Sequence, residues 1–512
     1  MAHLASRRKR ALALPLGLAL VTSLGFLPAA AATAAPTGAP AAAPPRTDGP
    51  KLSYVVNTGG SHSAVEQVKK AITQAGGTVV IAYEQIGVIV AHSQNPAFGE
   101  TIRRVRGVES AGATRTNPIV PQATEDVGAM AQPLTGAQAA ASAARAAADE
   151  DPLEPLQWSL PAIKADKAHQ KSLGSQRVTV AVIDTGVDDT HPDLAPNFDR
   201  AASANCASGA PDTTAGAWRP AAGESDHGTH VAGTIAAAKN GFGVTGVAPG
   251  VKVSGIKVST PGGYFYTEAV VCGFVWAAEH GVDVTNNSYY TDPWQFACKN
   301  DPDQAALVES LSRAVKYAER KGTVNVAAAG NSRRDLASRA IEDQASPNDS
   351  EAVTRTIDPR VCPIIPSMLP GVVTVSATGA KGLKSSFSNY GKGIIDVAAP
   401  GGDSTVYQTP EPPAVNGLIL STLPDGRFGY KAGTSMASPH VSGVVALIKS
   451  RHPYASPAAV KVLLGLQADA KACGAPYDID GDGTVDAVCE GTKLYNSFYG
   501  AGVVDALDAV RW

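Results

Sequence analysis

Residues 180–194 read VAVIDTGVDDTHPDL, and the fold follows from how this stretch begins and ends. The run 178–183 is apolar apart from Thr179 and too short for a helix. That pattern belongs to a strand buried on both faces, as in a parallel sheet. It stops at Asp184-Thr185-Gly186, a polar turn at the carboxyl end of the strand. The same grammar recurs downstream. Strands are expected at 251–258, 282–285, 324–328 and 372–377. Helices are expected at 227–238, 267–279, 304–321 and 435–450. Alternating buried strands and helices give an α/β fold of three layers, with a mostly parallel central sheet, over 151–512. Ligands of such sheets bind beyond the carboxyl ends of the strands, where Asp184 stands.

Two further stretches put polar residues at that edge. Residues 226–237 read DHGTHVAGTIAA and open a helix at His227; residues 433–447 read GTSMASPHVSGVVAL and open another at Ser435. A nucleophile, a base and an orienting acid are the parts needed for acyl transfer. In that scheme Ser435 attacks a carbonyl, His227 moves its proton, and Asp184 fixes the imidazole tautomer. Each residue alone has a plainer reading as a helix cap; the three together in the order Asp, His, Ser do not.

These three segments, and nearly all of 151–512, resemble the subtilisin-like serine protease family (peptidase S8). The resemblance implies a serine endopeptidase acting on protein or peptide substrates, with no cofactor for catalysis. It also implies that Asn331, in VNVAAAGNS (324–332), donates to the tetrahedral oxyanion. His230 is implied to be structural, since no Glu follows at HExxH spacing. Substrate is expected to lie as an extended strand between Gly262-Gly263-Tyr264 and Ser288-Tyr289-Tyr290. The pocket for the residue before the scissile bond would be bounded by residues 288–291 and by Ala328, Ala329 and Gly330. Relatives carry Ser-Leu-Gly-Gly where this chain has Ser-Tyr-Tyr-Thr, so the pocket is expected to be reshaped and its preference is left open.

Calcium is expected only as a structural ion. By resemblance, Asp193 and the loop holding Asn240 form one site, with Glu154 as a candidate further ligand. Independently, DIDGDGTVD supplies Asp478, Asp480, Asp482 and Asp486 at positions 1, 3, 5 and 9 of an EF-hand loop. Its twelfth position is Cys489, and a solvated Asp/Gly turn reads equally well.

The amino-terminal third is organised differently. Basic residues 7–10 precede an apolar run at 11–30 and small residues to Ala34, which reads as a signal peptide over 1–34. A single membrane anchor is the other reading, and Pro28 with the small-residue tail speaks against it. Residues 35–50 read as a linker. Residues 51–118 read β-α-β-β-α-β, a small ferredoxin-like (α+β) unit. By position this unit resembles the inhibitor-type propeptides of the family, and an interaction domain retained in the mature protein is the alternative. An Ala-rich linker without an apolar stripe is expected over 119–150.

The bulk numbers fit an exported enzyme. The 512 residues suggest two folded units plus linkers. Hydrophobic residues at 44% allow a large core, and a formal charge of −3 favours neither nucleic acid nor an anionic membrane as partner. Six cysteines in an exported chain suggest up to three disulfides, with Cys473–Cys489 the most readily paired because they bracket one short polar loop. A secreted monomer is expected, with its own propeptide as an intramolecular inhibitor.

Overall fold

The computed structural model describes residues 48–119, 132–404 and 406–511. The expected signal peptide, 1–34, and residues 35–47 of the linker lie outside them. Seven parallel strands form the central sheet, in the order Val397–Pro400, Val373–Thr378, Val324–Ala328, Val284–Asn287, Thr179–Asp184, Lys252–Lys257 and Ala204–Asn205. The strand Thr179–Asp184 lies inside the sheet and is wholly buried. Val180 and Val182 join the core beneath helices His227–Ala236 and Thr434–Arg451. Ala181 and Ile183 join the core beneath helices Thr267–Glu279 and Pro302–Arg320. Successive side chains point to opposite faces, so the apolar run is what a sheet covered on both sides demands.

The strand expected at 282–285 runs instead from Val284 to Asn287. Asn286 and Asn287 are fully buried. Burying an amide costs little only when it is bonded. Asn286 Oδ1 accepts from the Ser438 and Ser442 hydroxyls at 2.7 and 2.9 Å, and Asn287 Nδ2 donates to the Val326 carbonyl at 3.0 Å. Hydrophobicity alone could not extend the strand past Thr285.

The front unit forms an antiparallel four-stranded sheet in the order Gly77–Tyr83, Val88–Ser93, Leu52–Thr58 and Val108–Ala113. Helix His62–Gln74 is capped by the Ser61 side chain and, with helix Phe98–Arg103, covers one face. The other face, through Val55, Val88 and Val90, enters the same core as Leu307 and Leu311 of helix Pro302–Arg320. Polar contacts line this seam. Asn57 Nδ2 donates to the Ala306 carbonyl at 3.0 Å, the Ser310 hydroxyl donates to Asn57 Oδ1 at 2.8 Å, and Arg313 donates to the Thr58 carbonyl at 2.7 Å. The two sheets therefore meet along a buried seam, while the front unit keeps an apolar cluster of its own.

Part of the stretch expected as an exposed linker is ordered. Gln132–Pro133 pairs with strand Arg427–Lys431, and Gly136–Ala143 is helical. A capping box between Thr135 and Gln138 starts that helix. Leu134 and Ala139 pack on the cluster around Leu420 and Tyr430, so two apolar contacts replace the missing stripe. Three disulfides join Cys206 to Cys272, Cys298 to Cys362 and Cys473 to Cys489, the last being the pair expected from sequence.

Candidate active site

Asp184 ends its strand with the carboxylate fully buried. Its Oδ1 accepts the Thr185 N–H at 2.7 Å and lies 2.8 Å from His227 Nδ1. The helix carrying His227 reaches the strand end because residue 228 is glycine. A Cβ there would sit 2.3 Å from the Gly186 carbonyl oxygen and 3.2 Å from the Asp184 Cβ. The Gly228 N–H donates to the Thr185 hydroxyl at 2.9 Å, tying helix start to strand end.

Ser435 lies in the first turn of helix Thr434–Arg451, four residues before Pro439. Proline has no N–H, so the Ser435 carbonyl lacks its usual helical partner. It accepts instead from the Ser288 hydroxyl at 2.9 Å. In return, the Ser435 hydroxyl donates to the Ser288 carbonyl at 2.9 Å. Ser288 thus holds the helix start, and Ser435 Oγ is turned toward it rather than toward His227.

Asn331 follows strand Val324–Ala328, after a turn in which Gly330 has φ +99°. Asn331 Oδ1 accepts both the Thr434 N–H and the Thr434 hydroxyl, each at 2.8 Å. With that oxygen occupied, Nδ2 is the free end of the amide. A Cβ on Gly433 would lie 3.4 Å from Asn331 Nδ2 and 3.5 Å from the Ser435 N, so the two donors flank one small space. Such a pair suits an oxyanion.

His230, one helical turn from His227, is core. Its Nε2 lies 3.0 and 3.2 Å from the Ile419 and Gly429 carbonyls, and burial holds its pKa well below the ordinary imidazole value. A neutral ring protonated at Nε2 satisfies both carbonyls and fastens the helix to the hairpin Ile419–Leu423/Arg427–Lys431.

His227, Ser435 and Asn331 open onto one cleft of about 290 Å³. Gly263, Ser288, Tyr289, Tyr290, Ala328 and Gly330 line it, whereas Gly262 and Ala329 are buried and do not. Tyr289 stacks on Phe265 at 4.5 Å and donates to Asn287 Oδ1 at 2.9 Å. The cleft also holds residues that sequence reading did not assign to it: Asp292, Gln295, Ser332, Asn348 and Ile364. Asn348 and Ile364 come from irregular chain with no periodicity to find them by. Cys298–Cys362 ties that chain to the wall: the Ala297 N–H donates to the Pro363 carbonyl at 3.0 Å, and the Thr291 N–H to the Ile365 carbonyl at 2.9 Å.

The two metal-ligand groups differ. Asp193 is buried, accepts the Val244 N–H at 3.0 Å and lies 3.4 Å from Asn240 Nδ2; burial raises its pKa to about 7. A buried carboxylate so displaced suits a cation. Glu154, the further candidate, is bound to Lys239 Nζ at 2.7 Å, so that carboxylate already has a cation. In the acidic loop, carboxylate oxygens of Asp478, Asp480 and Asp486 lie within 4.8 Å of one another. Asp482 accepts the N–H of its neighbour Thr484 at 2.6 Å and is not in that group.

The model of the subtilase family matches residues 175–502. Subtilisin E of Bacillus subtilis (strain 168) is 34% identical over 294 residues, which cover 57% of this chain and 60% of that protein. The chain spans about 60% of the length of such curated relatives. The structure of the epidermin leader peptide processing serine protease of Staphylococcus aureus has a TM-score of 0.62 at 24% identity, covering 90% of this chain and 98% of that one, a likeness of fold. Fervidolysin of Fervidobacterium pennivorans, a keratinolytic enzyme related to subtilisin, has a TM-score of 0.57 at 25% identity, covering 90% of this chain and 61% of that one.

Proposed function

The chain belongs to the subtilase family, and from that premise we propose that it is a secreted serine endopeptidase made as an autoprocessed precursor. One observation carries the reading: a buried carboxylate 2.8 Å from a histidine that shares a cleft with a serine at a helix start and a paired set of N–H donors.

Ser435 Oγ leaves the Ser288 carbonyl and turns to His227 Nε2, giving up one neutral hydrogen bond worth about 1 kcal/mol. It attacks the scissile carbonyl while Nε2 takes its proton. Asp184 keeps Nδ1 protonated and stabilises the imidazolium. The oxyanion accepts from Asn331 Nδ2 and the Ser435 N–H. His227 then protonates the leaving amine, and water hydrolyses the acyl-enzyme by the reverse relay. Hydrolysis of a random peptide library, stopped by a covalent serine-directed inhibitor, is the expected result. Hydrolysis that survives the inhibitor and stops with a metal chelator contradicts this mechanism.

The front unit serves as folding partner and inhibitor until it is cut away. Its seam with helix Pro302–Arg320 supports this, since a parallel sheet is slow to assemble and a bound partner favours its native form. The basic and apolar amino terminus and the three disulfides support export. Among the described residues no helix is long and apolar enough to cross a membrane. Calcium would be held as a structural ion by Asp193 with Asn240, and by Asp478, Asp480 and Asp486, supplying charge that these carboxylates lack. Chelation is expected to lower the melting temperature by about 5–10 °C; an unchanged melting curve removes both sites.

A further inference from the structure

Among the described residues lining the cleft, the only carboxylate is Asp292. It lies four residues past Ser288, or about 13 Å along extended chain, on the wall that carries Tyr289 and Tyr290. The side chain is buried. Its Oδ2 accepts the Phe265 N–H at 2.5 Å and its Oδ1 accepts from Asn348 Nδ2 at 2.7 Å. Asn348 Nδ2 also reaches the Tyr290 hydroxyl at 3.0 Å. One acceptor in this corner of the cleft is open: Asn348 Oδ1 is buried without a hydrogen-bond partner. Among the described residues no Lys, Arg or His forms an ion pair with Asp292, and the one charged neighbour that bears on it is Asp349, of like sign.

A buried carboxylate with no cation is costly. Burial raises the Asp292 pKa to about 7. Some buried acids in this protein are matched, Glu268 with Arg115 and Asp343 with Arg355, while others, such as Asp193, pair with no Lys or Arg among the described residues. Asp292 differs in facing the space that substrate enters. The cleft also has a cation, Lys431, and that one is paired with Asp226 at 2.7 Å.

We infer that Asp292, assisted by Asn348 and the Tyr290 hydroxyl, selects substrates with a basic side chain, arginine above lysine, on the acyl side of the scissile bond. The inference rests on the protease reading. Guanidinium offers five N–H donors in a plane, which matches a corner that has several acceptors at different angles. It also lies well on aromatic faces, and Phe265, Tyr289 and Tyr290 line the approach. The same end of the molecule already receives one such group: Arg115 lies 3.9 Å from the centre of the Tyr266 ring. Lysine would bring charge without the planar fork, and a neutral side chain would leave the carboxylate buried and unpaired.

Paired peptides carrying arginine or its neutral isostere citrulline at each of the four positions before the scissile bond test this. With the mature wild-type enzyme, kcat/KM is expected to favour arginine by roughly 30-fold or more at one position. In Asp292→Asn, which keeps an oxygen for the Phe265 N–H, that ratio is expected to fall to within a few-fold of one. Equal cleavage of both members by the wild type at all four positions overturns the inference while leaving the protease reading intact. So does an arginine preference that survives Asp292→Asn. If neither member of any pair is cut and no serine-directed inhibitor reacts, the protease reading itself has failed.

Discussion

Ser435→Ala is expected to lower kcat/KM on any peptide by about 10⁶-fold and to leave the precursor at full length. The magnitude is that of removing the nucleophile from subtilisin itself, and corresponds to about 8 kcal/mol of lost transition-state stabilisation. The local structure makes the substitution clean. The Ser435 hydroxyl has one partner, the Ser288 carbonyl, and the Ser435 carbonyl keeps its own bond to the Ser288 hydroxyl whatever the side chain. The helix start should therefore stay in place, with a melting curve close to wild type. Full-length precursor is read by intact mass. A variant that still trims itself at the wild-type rate would mean that another group, or another protease, makes the cut.

The second large effect is expected at Asn331. Asn331→Asp keeps an oxygen at Oδ1 for the Thr434 N–H and hydroxyl, so the turn that holds Thr434 survives. What is lost is the Nδ2 donor, replaced by an oxygen beside the Ser435 N. Loss of one oxyanion donor costs about 10²–10³ in kcat, a figure drawn from subtilisin. The fall should appear in kcat with little change in KM, because the donor acts on charge that exists only in the transition state. A rise in KM with kcat unchanged would instead make Asn331 a ground-state contact.

Most central strands were legible because apolar residues dominate a strand covered on both faces. Asp184 could be read as a strand end for the same reason. The front unit was legible from its alternation of short apolar runs. Elements that use polar residues internally were not. Strand Val284–Asn287 continues through two buried asparagines, one held by serines about 150 positions away and the other by the Val326 carbonyl. The ordered segment 132–143 depends on a capping box and on apolar contacts with a distant hairpin. Asn348 and Ile364 reach the cleft only because Cys298–Cys362 and backbone bonds fold irregular chain against the wall. The bond between Lys239 and Glu154 occupies a carboxylate that the resemblance offered as a candidate calcium ligand. In the cleft, the exchange of bonds between Ser288 and Ser435 follows from Pro439, which the sequence displays but whose consequence appears only with the strand beside it.

The most direct measurement is the site of covalent labelling by a fluorophosphonate, mapped by peptide mass spectrometry on the wild type and on His227→Ala. The predicted result is a single stoichiometric adduct on Ser435 in the wild type, lost or slowed by orders of magnitude without His227. An adduct on another residue, or labelling of Ser435 that does not depend on His227, would contradict the account.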